Sequence, residues 1–202
     1  MPQADSVPAR QIRALFTDDG ITVYQAYRDA IADAALEAQR FVPPFRLERM
    51  TWIKPSFLWM MYRCGWAGKQ DQERVLAVEI SRDGFTWALE HACLSHFDPE
   101  HHVSHEGWEK QKAASPVRVQ WDPERSVTLE KLPYRSIQVG LGGEAAKRYA
   151  MDWILAIRDV TPLAHEIRDL IAAGDLEAAR ARLPAERPYP LKPEIAARIG
   201  AA

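Results

Sequence analysis

The chain has 202 residues, 47% of them apolar, with a formal net charge of −2 and a sequence pI near 6.3. That length supports one sizeable core, and the near-balanced charge excludes bulk counterion release as the main source of any nucleic-acid affinity. Cys64 and Cys93 are too few for a disulfide framework, no apolar run approaches the roughly 20 residues of a membrane span, and the polar opening lacks a secretory pattern. A reduced, cytoplasmic protein without a membrane segment is expected, its oligomeric state open.

Residues 1–9 form a polar leader. Residues 10–17 alternate as a strand does and meet the turn signal Asp18-Asp19-Gly20. Residues 21–27 continue as a strand leading into a helix. Over 29–41, Ala30, Ile31, Ala34, Ala35, Ala38 and Phe41 recur with helical period until Pro43-Pro44 stops it. A strand is expected over 46–53, with Lys54-Pro55-Ser56 as the elbow into a helix from Phe57 to near Gly65. Residues 74–80 have the content of an interior strand, and a helix is expected over 83–94. Residues 95–115 lose periodicity and read as a long loop.

Strands are expected over 116–121 and 134–141. Gly142-Gly143 then turns the chain into one long helix with the stripe Ala146, Tyr149, Trp153, Ile154, Ile157 and Val160. Thr161-Pro162 interrupts it, and helices are expected over 163–173 and 175–183. Strands and helices mix without a repeated βαβ cadence, so the expected fold is α+β. It comprises a single mixed or antiparallel-sheet domain with flanking helices over 10–161, followed by a C-terminal helical appendage and tail over 162–202.

Residues 49–66 concentrate Trp52, Trp59, Trp66, Phe57, Tyr62 and three methionines around Arg49, Lys54 and Arg63. Phe57, Leu58, Met61 and Tyr62 stand at helical spacing and read as core, whereas buried cations require partners. The stretch therefore reads as a buried helix whose cationic flanks face a cleft, with Arg49, Trp52, Lys54 and Arg63 as one wall. Arg118, Gln120 and Asp122 alternate with Val117, Val119 and Trp121. Their polar face either meets solvent or forms the other wall, with Asp122 and Glu124 at the rim and Arg10, Arg13, Tyr24 and Gln25 opposite. Such a set suits a phosphate-bearing ligand, since Arg pairs bidentately with phosphate and a carboxylate stabilises developing positive charge.

His91, His96, His101, His102 and His105 with Cys93 match no standard zinc spacing. They read as a polar loop, and no metal site is expected. Ser56, Cys64 and Cys93 stand in no nucleophile elbow, and residues 140–143 lack the lysine and spacing of a phosphate-binding glycine loop.

The blocks 10–14, 23–27, 49–63, 116–125 and 135–141 together resemble the family catalogued as domain of unknown function 4291, over about residues 10–161. The run Thr51 to Tyr62 is also similar in rhythm to the strand-to-helix segment of DarT-type DNA ADP-ribosyltransferases. In those enzymes a strand carrying a catalytic Glu, a Pro-containing loop and a closing strand follow, an order that 117–122, Leu132-Pro133 and 135–141 resemble. The strand here offers Arg118 and Gln120 where the acid is expected, with Asp122 and Glu124 at its end.

This second resemblance implies an ADP-ribosyltransferase-like architecture that uses NAD to modify nucleic acid or another macromolecule. Arg10 or Arg13 with Arg49 would hold the pyrophosphate, Tyr24 and Trp52 would flank the nicotinamide, and Glu124 or Asp122, beside Gln120, would stabilise the transition state. Gln25, Lys54 and Arg63 complete the expected ligand set. The alternative is a non-catalytic module that binds nucleotide or single-stranded nucleic acid in the same cleft.

Overall fold

The computed structural model describes residues 7–202. In chain order its elements are β1 (Arg13–Ala14), β2 (Gly20–Tyr27), α1 (Asp29–Ala38), β3 (Thr51–Ile53), α2 (Phe57–Cys64), β4 (Arg74–Ser81), α3 (Arg82–Glu90), β5 (Ala92–Leu94) and α4 (His105–Ala114). There follow β6 (Val117–Arg125), β7 (Lys131–Leu141), α5 (Gly143–Arg148), a π-helical turn (Tyr149–Trp153), β8 (Ile154–Asp159), α6 (Thr161–Ala172), α7 (Leu176–Ala181), β9 (Arg187–Pro188) and α8 (Pro193–Ile199). The leader lies outside the described residues except for its last three positions. None of the described helices is long and apolar enough to cross a membrane.

The fold is α+β, with its strands divided among several sheets. A three-stranded antiparallel sheet has the order β2-β4-β8, and a four-stranded sheet has the order β3-β7-β6-β5, in which only β5 and β6 run parallel. One bridge joins them: Tyr24 N donates to Lys54 O at 2.7 Å and Lys54 N donates back to Tyr24 O at 3.3 Å. Because side chains alternate along a strand, each sheet has two distinct faces. Val23 and Val78 of the first sheet and Ile53, Val119 and Val139 of the second share one core. Tyr24, Val75 and Ala77 project to the opposite side, where Phe57, Met60 and Met61 of α2 and Ala164 and Ile167 of α6 form a second core.

The elbow into α2 forms as its residues require. Ser56 caps the helix by accepting from Trp59 N at 3.1 Å, and Gly65 closes it at φ +60° while its N–H bonds Met61 O.

Elsewhere the local patterns mislead. The stripe through Tyr149, Trp153, Ile154, Ile157 and Val160 is not one helix, because α5 ends at Arg148 and the chain becomes β8. Ile157 pairs with Val78 and Ile154 with Ile80, so Leu155 is the extra residue of a bulge. The bulge sets two core-facing isoleucines three apart, which mimics helical spacing. Residues 105–114, expected within a loop, are helical, with Ser104 accepting from Gly107 N at 3.1 Å as the cap. Trp108 is this helix's single buried residue, so its amphipathic stripe is too thin to read. The expected strands over 10–17 and 46–53 shrink to β1 and β3, and the helix expected to reach Leu94 ends at Glu90 before β5.

The segment expected as an appendage is woven into the body. β9 pairs with β1, Ile195 and Ile199 are buried in the first core, and Trp121 Nε1 donates to Ile199 O at 2.7 Å. Among the sheet edges, β8 is closed by one side chain. Gln39, at φ 51°, accepts from Ile157 N at 2.9 Å and donates to Ile157 O at 3.1 Å.

Gly84 of α3 lies against the Trp153 indole so closely that a Cβ there would stand 2.4 Å from the ring. Overpacking of this kind costs about 1–3 kcal/mol. Gly84→Ala is therefore expected to lower the unfolding free energy by that order, read in urea titrations as a lower midpoint at unchanged slope.

Candidate functional site

A cleft of 550 Å³ opens where the two sheets meet, with Lys54, Thr51 and Gln25 in its floor and the 44–50 segment and the ends of α1 and α2 around its mouth. The floor is tied down by a hydrogen-bond chain. Tyr149 Oη donates to Gln25 Oε1 at 2.6 Å, Gln25 Nε2 donates to Thr51 Oγ1 at 2.6 Å, and the Tyr27 hydroxyl meets Thr51 Oγ1 at 3.2 Å. A buried amide so fully bonded is a structural hub. Trp52 lies across β7 at Gly140, where a Cβ would sit 3.0 Å from its indole.

Lys54 is 7% exposed, and its one hydrogen bond goes to Trp52 O at 3.2 Å. Burial and then the charge of Arg63 lower its ammonium to about 8, with Asp122 partly opposing. Arg28, Arg46, Arg49 and Arg63 surround the mouth, all exposed. None of these five cations has a carboxylate partner among the described residues. The single acid in the lining is the exposed Asp71. Tyr27, Phe45 and Trp52 supply aromatic surface between the charges.

Of the residues expected to form the site, Gln25, Arg49, Trp52, Lys54 and Arg63 come together here. Tyr24 does not line the cleft: it is 2% exposed and packs edge-on to Phe57 at 5.3 Å. Arg10 pairs with Asp98 at 2.9 Å beside a separate, smaller hollow. Arg13 bonds Gln11 Oε1 at 3.2 Å. Arg28, Arg46, Phe45 and Thr51 were not singled out by sequence. The one available signal was the pair Arg46 and Arg49 following Pro44-Phe45, and nothing local linked either to Arg28.

Asp122 accepts from Gln120 Nε2 at 2.9 Å and from Gln138 Nε2 at 2.6 Å, so both amides orient its carboxylate. It stands on the polar face of the four-stranded sheet, the face shared by Trp52 through the register Trp52–Gly140–Arg118. Glu124 lies further along β6 and is buried. Its Oε1 accepts from Ser56 Oγ and from Arg125 N, each at 2.9 Å, and burial raises its pKa against these donors.

The histidine-rich segment disperses. His91 stacks on Trp87 at 3.9 Å, His105 packs against Trp108, and His102 Nδ1 meets Asp98 O at 3.0 Å. Asp98, Glu100 and His101 hold ligand atoms within 4.8 Å of one another, yet Asp98 Oδ2 is already engaged by Arg10. Both cysteines are buried, which raises their thiols and makes them poor nucleophiles.

The geometry defines an α+β domain with a cationic, aromatic-lined cleft at the seam of two sheets. The chain belongs to the DUF4291 family, whose model, described as Domain of unknown function (DUF4291), matches residues 11–189. No curated protein matches it.

Behind the elbow, Glu186 Oε1 accepts from Phe57 N at 2.7 Å. Burial pushes this carboxyl up to about 8; the Phe57 N–H opposes the rise, Glu124 adds to it and Arg13 opposes it. Tyr134 is the further titratable group near the pair. A raised folded-state pKa means that the folded protein holds the proton more tightly, so this contribution is complete below the unfolded value and is lost as pH rises through about 8. Lys54 has the opposite sign and acts above that range. Denaturant titrations from about pH 5 to about pH 8 are expected to show wild type losing stability relative to Glu186→Gln.

Proposed function

We propose that the cleft binds a nucleotide through its phosphates. The observation that carries this reading is Lys54, a buried ammonium that bonds a carbonyl and, among the described residues, forms no ion pair, at the floor of a cleft ringed by four arginines likewise without ion pairs. A buried cation without a partner is costly, and a phosphate entering the cleft would supply the missing charge. Arg guanidinium groups add planar, bidentate recognition of phosphate, and Tyr27, Phe45 and Trp52 offer faces for a base.

A second reading, ADP-ribosyl transfer from NAD, is favoured by Asp122. Of the acids on β6, Glu124 is enclosed behind Ser56 and its bonded oxygen serves the elbow. Asp122 is half-buried, is oriented by two amides and lies near enough to Lys54 to influence its charge. In this reading NAD supplies an activated glycosidic bond. Lys54 and the arginines hold the pyrophosphate while the Asp122 carboxylate opposes the positive charge that develops on the ribose as nicotinamide leaves. The two-sheet body with its strand-to-helix elbow suits an ADP-ribosyltransferase-like architecture.

Calorimetry with ADP and NAD tests the first reading. Lys54→Met is expected to weaken binding by about 1.5–3 kcal/mol, the range for hydrogen bonds to charged groups. Wild-type affinity is expected to fall as pH rises through about 8, where Lys54 loses its proton, and this dependence should vanish in Lys54→Met. Wild type failing to bind either nucleotide would falsify the proposal.

For the second reading, nicotinamide release from NAD is the measurement. Asp122→Asn is expected to reduce it about 100-fold while NAD affinity holds, in line with the loss of one preorganised charge contact. Unchanged turnover in that variant would remove the carboxylate role.

A further inference from the structure

The cleft carries more charge than a dinucleotide can use. Lys54 and the four mouth arginines face one acid, Asp71, whereas a dinucleotide brings two phosphate charges. The arginines are also spread over separate elements: Arg28 precedes α1, Arg46 and Arg49 lie in the connection to β3, and Arg63 stands in the last turn of α2. Four guanidinium groups carried by separate elements around one opening offer more phosphate contacts than a single pyrophosphate needs. Some arginines elsewhere are paired with carboxylates, Arg74 with Asp159, Asp33 and Asp29, Arg158 with Glu79, and Arg182 with Glu166, whereas none of the four at the mouth is paired among the described residues. A chain of net charge −2 therefore gathers at this opening five cations that form no ion pair among the described residues.

We infer that the mouth of the cleft takes a single-stranded polynucleotide, whose phosphates lie along Arg28, Arg46, Arg49 and Arg63 and one of whose bases enters between Phe45 and Trp52. This rests on the reading of the cleft as a phosphate site. Single strands fit better than duplex because the aromatic surface is recessed, and only an unstacked base can reach it. They fit better than an acidic protein segment because guanidinium forks interleaved with aromatic faces match alternating phosphate and base, whereas carboxylate side chains would leave those faces unused.

The test is fluorescence anisotropy with a labelled oligothymidylate of about twelve nucleotides, a length within the site sizes of single-strand binders. Each phosphate contact contributes about −0.7 to the slope of log affinity against log salt. Arg46→Gln/Arg49→Gln is therefore expected to make the slope shallower by about 1.4, so that wild type loses about sevenfold more affinity than the variant between about 50 and 200 mM salt. Arg182→Gln, in an ion pair remote from the mouth, should match wild type. Its ADP affinity should match wild type as well. All four mouth positions are exposed, and Arg28→Gln gives an independent reading, a slope shallower by about 0.7, if the double variant fails to fold.

Binding of ADP without binding of the oligonucleotide overturns this inference and leaves the nucleotide reading standing. A double variant that folds and keeps the wild-type slope overturns it too. Polyglutamate of equal charge competing as well as unlabelled oligothymidylate would assign the mouth to an acidic protein instead. If neither ADP nor the oligonucleotide binds, both readings fall.

Discussion

Two backbone hydrogen bonds between Tyr24 and Lys54 hold the architecture together. They join a three-stranded and a four-stranded sheet at one residue pair, and they do so at the point where β3 gives way to the elbow. Because adjacent residues of a strand point to opposite faces, the bridge sends Tyr24 into the α2 core while its neighbour Gln25 reaches the cleft floor. Lys54 is buried by the same geometry: its backbone is fixed between two sheets, and its ammonium emerges only into the cleft. A lysine on a free edge would extend into water.

Charge is sorted across the elbow within a few residues. On the cleft side are Lys54 and the arginines of the mouth; behind it, Glu124 and Glu186 converge on the first turn of α2 through Ser56 and the Phe57 N–H. The first turn of α2 has free N–H groups, and Glu186 satisfies one of them by accepting from Phe57 N while burial holds its carboxyl protonated up to about 8, so it does not neutralise the lysine in front. Proline at 55 and a serine cap make this turn short and stiff, which keeps the cations and the buried carboxyls on their own sides.

Much of the body was legible wherever local and tertiary demands agree. α2 is marked by Pro55, Ser56 and Gly65, and β4 by the apolar run Val75 to Val78 appropriate to a strand covered on both faces. Misreadings arose where long-range pairing decides. The bulge at Leu155 converts period two into an apparent helical spacing, β5 has three residues and exists by pairing with β6, and α4 depends on one tryptophan. The cleft was half legible for the same reason. Arg49, Trp52, Lys54 and Arg63 lie within one dense stretch, but Arg28 joins them only through the β2–α1 turn. Arg10 and Tyr24 carry plausible chemistry that the fold uses for an ion pair and for packing.

Gln39 shows how little is needed to finish a sheet. Its amide presents a donor and an acceptor to Ile157 in the arrangement that a neighbouring strand would present, while its nitrogen also donates to Leu36 O at 2.8 Å. The side chain thus impersonates a further strand for the length of a single residue. Leu155 of β8 stands exposed, and on an open edge would invite another copy of the chain to add its own strand. With the central peptide of β8 already satisfied, an incoming strand would have to displace Gln39 before gaining a continuous ladder. A left-handed residue at the end of α1 therefore occupies the outer hydrogen-bonding groups of β8 at Ile157, where the sheet is three strands wide.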